Sequence, residues 1–209
     1  KIFSLENDFL PKLIHKKLLG GKVYKNFFLD IGTPKYLKIS EKKLKNYFKK
    51  PAVFLDRDGV LNKDKKYVHK ISDFEWIEGA QESIKLLNKK GYLIFVITNQ
   101  SGIGRGFYSD EDVLRIHKYI NLELSKIDAK IDDFFYSPYH QSDRSGKFEH
   151  LKHLRRPNIG MLEAACKKWP VIKDRSLVIG DKEVDMLCAK NFGIKGFLFK
   201  ESNLLKFIE

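Results

Sequence analysis

The strongest constraint on this chain is an alternation that begins at Pro51. Short, largely apolar runs of strand length take turns with longer segments of helical periodicity. Ala52–Asp56 is one such run and Tyr92–Thr98 (YLIFVIT) is a second. Both are too short for helices and are bounded by turn residues, so they read as strands covered on both faces. Asp132–Tyr136, Ser176–Ile179 and Gly196–Phe199 supply three more. Between the runs, Gln81–Lys90, Asp110–Ser125, Ile159–Lys168 and Val184–Asn191 carry helical spacing. Ser109 is a candidate cap for the second of these, with acids in the first turn. A polar stretch, Ser137–Pro157, interrupts the pattern and reads as a loop. Strand–helix alternation predicts an α/β fold, a Rossmann-like parallel sheet with helices on both faces. Ligands of such sheets bind beyond the carboxyl ends of the strands.

Residues 1–50 read differently. Pro11, Gly20-Gly21, an apolar run Val23–Ile31 and Gly32-Thr33-Pro34 make an irregular stretch. A Lys-rich amphipathic segment from about Ser40 to Lys50 follows and ends at Pro51, because proline disfavours helix in the residue before it. The expected division is a short N-terminal extension over 1–50 and a catalytic domain over 51–209. The chain begins at Lys1 and not at Met, which fits a fragment of a longer protein.

Composition narrows the partners. The net charge of +13 admits a nucleic-acid or acidic-lipid surface, or simply a Lys-rich solvated one. Positive side chains occur all along the chain and no RNA- or DNA-binding motif accompanies them, so no nucleic-acid partner is expected. Cys166 and Cys188 fall in predicted helices and make no disulfide framework, which fits a reducing, cytoplasmic setting. No apolar run approaches the ~20 residues of a membrane span, and no signal peptide is seen.

The chemistry sits at the strand ends. Asp56-Arg57-Asp58-Gly59 closes the first strand, and two carboxylates two residues apart on an extended chain share one side. They can bind a hard cation, or divide phosphoryl transfer between attack and proton handling; an ordinary acidic turn is the plainer alternative. Thr98-Asn99-Gln100-Ser101-Gly102 closes the second strand with hydroxyl, amide and free backbone donors suited to a phosphate, or is a flexible surface loop. Arg155-Arg156-Pro157 offers guanidinium forks that match phosphate oxygens, although exposed arginine pairs are common. Gly180-Asp181-Lys182-Glu183-Val184-Asp185 sets a carboxylate beside an ammonium, or is the acid-rich start of a helix. The force comes from their occurring in order, each after an element of one sheet.

In that order the residues resemble the haloacid-dehalogenase-like phosphatases, whose pattern is Asp-x-Asp, Thr, Arg or Lys, then Gly-Asp-x-x-x-Asp. The segments Phe54–Asn62 (FLDRDGVLN), Tyr67-Val68-His69, Thr98–Ile103 (TNQSGI), Arg105-Gly106 and Gly160-Met161 are similar to the D-glycero-D-manno-heptose 1,7-bisphosphate phosphatase family, with histidinol-phosphate phosphatases as near relatives and an alternative function. The resemblance implies that Asp56 is the nucleophile and that Asp58 protonates the leaving oxygen and then activates water. It implies Mg²⁺ held by Asp56, the Asp58 backbone carbonyl and Asp181. Thr98 and Arg156 would hold the transferring phosphoryl group with Lys182 close by; the family usually has lysine at the place of Arg156. Asp64, Lys65, Lys66, Tyr67, Asn99, Gln100, Ser101 and Arg155 would contact a small phosphorylated sugar.

Two further expectations follow. Phe3-Ser4-Leu5-Glu6 with Pro11, and Phe28–Pro34 (FLDIGTP), resemble the closing portion of sugar-1-phosphate nucleotidyltransferases. That implies a fused or associated transferase and a place in nucleotide-sugar synthesis; a guanylyltransferase would hint at the α-anomer. Relatives of the phosphatase often hold structural zinc through Cys-x-His and Cys-x-Cys pairs. Ser137, Tyr139, Lys152 and Leu154 stand there instead, so no structural zinc is expected, with His140, His150 and His153 the only basis for a displaced site.

Overall fold

A computed structural model of the chain describes residues 3–143 and 145–209. The chain divides into two compact units, Lys1–Lys43 and Leu44–Glu209. The first opens with a π-helical turn, Leu5–Phe9, capped by the Ser4 hydroxyl, which accepts from Asn7 N at 3.2 Å. Helix α1 (Leu10–His15) follows with Pro11 in its first turn, where a missing N–H costs nothing. Helix α2 spans Pro34–Tyr47, so it starts well before Ser40. Thr33 accepts from Tyr36 N through its hydroxyl at 3.3 Å and from Leu37 N through its carbonyl at 2.9 Å, and Pro34 is preset for a first helical position.

The second unit is a sheet flanked by helices. In chain order it contains β1 (Ala52–Leu55), α3 (Ala80–Lys89), β2 (Leu93–Asn99), α4 (Asp110–Ser125), β3 (Asp133–Ser137), α5 (Gly160–Lys168), β4 (Leu177–Gly180), α6 (Glu183–Phe192), β5 (Lys195–Leu198) and α7 (Leu204–Ile208). The strand order is β3-β2-β1-β4-β5 and every pair is parallel. Leu55 is level with Val96 on one side and Ile179 on the other, so β1, β2 and β4 present their carboxyl ends together. The connections reverse direction at β1, which opens a crevice there.

Alternation along the strands builds a core on each face. Val53, Leu55, Ile94, Val96 and Ile179 pack with Ile84 of α3 and Ile116, Ile120 and Leu124 of α4. Ala52, Phe54, Phe95, Ile97 and Val178 pack with Met161 and Leu162 of α5 and Cys188 and Ala189 of α6. Each of the Val, Leu, Ile, Phe and Met side chains among them, fully buried, contributes roughly 1.5–3 kcal/mol. Ser109 caps α4 reciprocally: its hydroxyl accepts from Asp112 N at 3.3 Å while Asp112 accepts from Ser109 N at 2.9 Å. The loop before α5 contains a 3₁₀ segment, Glu149–Leu154. Helix α7 was not expected, because five residues are too few to show a period; Leu204, Phe207 and Ile208 join the core. Among the described residues, no helix is long and apolar enough to cross a membrane.

Candidate active site

The β1 ladder runs one residue past the strand, since Asp56 N donates to Ile179 O at 3.0 Å. The Asp56 side chain is thereby buried at the crevice. Its Oδ1 accepts from Arg57 N at 2.7 Å and from Arg156 Nη2 at 2.8 Å. Arg156 donates its other terminal nitrogen to Asp185, so one buried guanidinium bridges two buried carboxylates. Asn99 holds the arginine's backbone, accepting from Arg156 N at 3.1 Å and donating to Arg156 O at 3.4 Å.

Two glycines make room for the acids. Gly59 has φ +96°, and a Cβ on it would lie 2.3 Å from the Asp181 carboxylate; a Cβ on Gly180 would lie 2.3 Å from that of Asp185. Ligand oxygens of Asp56, Asp181 and Asp185 consequently lie within 4.8 Å of one another. Burial pushes Asp56 up to about 7, with the negative charges of Asp185 and Asp58 adding and Arg156 opposing. Burial also raises Asp185, opposed by Arg156. Asp181 Oδ1 is buried with no hydrogen-bond partner. Three crowded carboxylates, two of them pushed up, and an orphaned buried oxygen fit a hard divalent cation, which would relieve both the repulsion and the missing partner.

Asp58 faces the same cleft but is outside this cluster. Its carboxylate accepts from Arg57 at 2.9 and 3.0 Å, Asn62 Nδ2 at 3.0 Å and Gln100 Nε2 at 3.0 Å. Gln100 Nε2 also donates to Thr98 Oγ1 at 2.8 Å. Asp185 takes the third place among the clustered carboxylates and was not among the expected site residues. The signal for it was the second acid of the Gly-Asp-x-x-x-Asp segment, one helical turn beyond Asp181.

A cleft of about 580 Å³ opens above these groups. Asp56, Asp58, Asp64, Lys66, Tyr67, Thr98, Asn99, Gln100, Ser101, Arg155, Arg156 and Lys182 all line it. Lys65 does not: its ammonium pairs with Glu75 at 2.9 Å, away from the cleft. The reason is the turn. Asp64 Oδ1 accepts from Lys66 N at 3.0 Å, and Lys66 and Tyr67 both take the left-handed conformation, at φ 59° and 56°. Asp64 is further tied to Lys182 at 3.0 Å, and despite its partial burial this bond and that of Lys66 N hold its carboxyl below the usual range. Arg155 donates to Tyr139 O at 3.1 Å. Tyr108 lines the cleft too, although no motif pointed to it.

At two of the four positions where relatives of the phosphatase hold zinc, Lys152 pairs with Glu149 at 2.8 Å and Leu154 packs on the core. His140 is bonded to Arg105 at 2.7 Å and Ser142 at 2.6 Å, and His153 to the His150 carbonyl at 3.0 Å. Among the described residues, the three aspartates are the one group of metal-capable side chains found together.

Residues 51–196 match the family described as polynucleotide kinase 3 phosphatase. The D-glycero-beta-D-manno-heptose-1,7-bisphosphate 7-phosphatase of Rhodopseudomonas palustris is 39% identical over 161 residues, covering 77% of this chain and 89% of that protein. The D-glycero-alpha-D-manno-heptose-1,7-bisphosphate 7-phosphatase of Campylobacter jejuni is 40% identical over 148 residues, covering 70% and 80%. Among solved structures, a protein from Mesorhizobium loti described as a HAD-like phosphatase superposes with TM-score 0.66 at 32% identity, covering 72% of each chain. The chain belongs to the polynucleotide kinase 3 phosphatase family of haloacid-dehalogenase-like phosphatases and is related to the D-glycero-D-manno-heptose-1,7-bisphosphate 7-phosphatases.

Proposed function

We propose that this chain removes the 7-phosphate of D-glycero-D-manno-heptose 1,7-bisphosphate, leaving the 1-phosphate, through a phosphate ester of Asp56. The observation that carries the reading is a buried Asp56, pinned by Arg156 beside Asp181 and Asp185, at the floor of a cleft lined by Lys66, Arg155 and Lys182. With Oδ1 of Asp56 tied to two donors, Oδ2 is the oxygen that attacks phosphorus. Arg156 and the Thr98 hydroxyl hold the phosphoryl oxygens in line. The bond from phosphorus to the sugar oxygen breaks, and Asp58 gives that oxygen its proton. Asp58 then takes a proton from water, the water oxygen attacks phosphorus, and Asp56 leaves as a carboxylate. Asp56, Asp181 and the Asp58 carbonyl would hold Mg²⁺, with Asp185 in the same carboxylate cluster; bound there, it would offset repulsion between the carboxylate and the incoming phosphate. The cations at the cleft mouth are suited to the phosphate that stays on the sugar.

A panel of both heptose bisphosphate anomers, the matching monophosphates, histidinol phosphate and a 3′-phosphorylated oligonucleotide tests this. We expect a bisphosphate to be cleaved best, EDTA to stop the reaction and Mg²⁺ to restore it. Equal kcat/KM for mono- and bisphosphates would sink the reading, as would full activity in metal-free buffer. The oligonucleotide is included because the family's description and the net charge of +13 both favour a nucleic-acid substrate as the second reading. Preferential cleavage of it, with salt-dependent retention on DNA, would establish that alternative.

Residues 1–45 we take as the closing portion of a sugar-1-phosphate nucleotidyltransferase, on the strength of Phe28–Pro34 and its neighbours. The Gly-rich nucleotide loop of such enzymes is absent from the 209 residues, so no pyrophosphate should be released from GTP and a sugar 1-phosphate. Its release would refute the assignment.

A further inference from the structure

Tyr108 has no role in the chemistry described so far, yet the site is built around it. Its ring stacks on His69 with centroids 4.9 Å apart and planes 9° from parallel. The space for it exists because residue 102 is glycine: a Cβ there would lie 2.1 Å from the tyrosine ring. The hydroxyl donates to Gln100 Oε1 at 2.7 Å. Gln100 is 1% exposed, and its Nε2 gives one bond to Asp58 Oδ2 at 3.0 Å and one to Thr98 Oγ1 at 2.8 Å.

Counting protons shows what the tyrosine decides. A carboxamide has two N–H donors on one side and an acceptor oxygen on the other. Here both donors are used, and both on groups of the reacting centre. Threonine has one proton and two lone pairs. With a lone pair occupied by Gln100, the Thr98 proton is left for the cleft, where a phosphoryl oxygen would sit. Reversing the amide would undo both arrangements. The Gln100 oxygen would face the Asp58 carboxylate, acceptor against acceptor, and would draw the Thr98 proton onto itself. A donor at Oε1 opposes that reversal: the phenol oxygen could accept the reversed amide's N–H, but the phenol proton would lose Oε1, the acceptor it has here. Burial pushes Tyr108 up to about 12, with the Arg57 charge opposing, so the phenol keeps its proton throughout the neutral range.

We propose that Tyr108 is a positioning residue whose hydroxyl locks the Gln100 carboxamide, and thereby aims the Thr98 proton at the phosphoryl group and aligns the Asp58 carboxylate. The proposal rests on the reading of Thr98 and Asp58 as participants in phosphoryl transfer.

The test is a double-mutant cycle on the full chain with Mg²⁺, using p-nitrophenyl phosphate and heptose 1,7-bisphosphate as probes. Tyr108→Phe keeps the ring and its stacking, so its melting temperature should stay near that of the wild type. Its kcat should fall about tenfold or more while KM changes less than about twofold, because the group lost acts on the transition state. In a Thr98→Val background, where no proton remains to be aimed, the same substitution should cost at least about threefold less. A merely structural tyrosine would lower the melting temperature and multiply fully with Thr98→Val. Tyr108→Phe within twofold of wild-type kcat, or full multiplication of the two losses, overturns the proposal. If Thr98→Val alone leaves kcat unchanged, the reading of the site falls and the relay with it. A large loss for Thr98→Val beside a silent Tyr108→Phe defeats the relay only.

Discussion

Ala52, Val53, Phe54 and Leu55 of the catalytic unit are wholly buried, while Val23 and Phe28 of the N-terminal unit are 88% and 85% exposed. Among the described residues of that first unit a single side chain, Ser40, is buried, and it is polar; its hydroxyl donates to Tyr36 O at 2.6 Å. Charge divides the same way. Residues 1–43 hold ten lysines and four acids, a net +6, whereas the 166 residues that follow carry the remaining +7 of the total of +13. The basic character thus belongs disproportionately to the segment without a core. One unit closes its own apolar surface on both sides of a sheet; the other presents apolar and cationic side chains together. The lesson is that fold and chemistry should respond to changes in 44–209 and be nearly indifferent to changes in 1–43.

The largest effect expected is Asp56→Asn. An amide is no useful nucleophile, so turnover should fall at least about a thousandfold while the circular dichroism spectrum is retained. Activity above a few percent of wild type would remove Asp56 from the mechanism. Next comes a matched pair of core and surface substitutions. Phe54→Ala empties a site packed against Phe95, 5.3 Å between ring centroids, and should cost about 3–5 kcal/mol in urea unfolding. Phe28→Ala, at an exposed position, should stay within about 0.5 kcal/mol. Similar losses from the two would break the contrast.

Much of this contrast was legible beforehand, and the exceptions have physical causes. The five strands announced themselves because each holds a short apolar run of strand length, uninterrupted in β1 (AVFL) and led by a single charged residue in β3 (DFFYS) and β5 (KGFL), and Asp56, Asp58 and Asp181 because each closely follows such a run. The start of α2 was obscured by Thr33-Pro34, which reads as a turn until Thr33 is seen to cap the helix. Lys65 and Lys66 are equivalent as neighbours in a sequence. Only the left-handed backbone of Lys66 and Tyr67 separates the lysine that lines the cleft from the one that pairs with Glu75. Tyr108 reaches Gln100 through tertiary packing against Gly102 and His69, and no local pattern encodes that.

A smaller effect concerns a cost of burial. His117 stacks on Phe134 at 4.3 Å, and neither ring nitrogen has a hydrogen-bond partner. Burial, with the Arg57 charge adding, pushes it from 6.5 down to about 3. The folded state therefore holds the neutral form. Above pH 6.5 the residue contributes no pH dependence; as pH falls from 6.5 toward 3 the unfolded chain takes a proton that the folded one refuses. Stability should drop by about 1.4 kcal/mol per pH unit from this residue across that window. His117→Leu should remove that part of the slope, read as the difference between two urea-denaturation series from pH 7 to pH 4. Parallel slopes would mean that the imidazole is solvated in the folded state.

The smallest effect expected is from removing residues 1–43 altogether. Every side chain placed at the site lies between Asp56 and Asp185, and every apolar residue of the two sheet-facing cores lies at Ala52 or beyond. The truncated chain keeps the whole five-stranded sheet and the helices on both of its faces. Its kcat should stay within about twofold, since no group that orients the reacting atoms is lost. Its melting temperature should move by less than about 2 °C, because no apolar side chain among the segment's described residues is buried and such a segment contributes little to the cooperative unit. KM is the one quantity with a reason to shift. The truncation removes a net six positive charges, so encounter with an anionic substrate should slow modestly at low ionic strength and recover its wild-type value near 0.5 M salt, where the screening length is about 4 Å. A tenfold loss of kcat, or a truncated chain that does not fold, would show that the two units are not independent and that the N-terminal segment completes the enzyme.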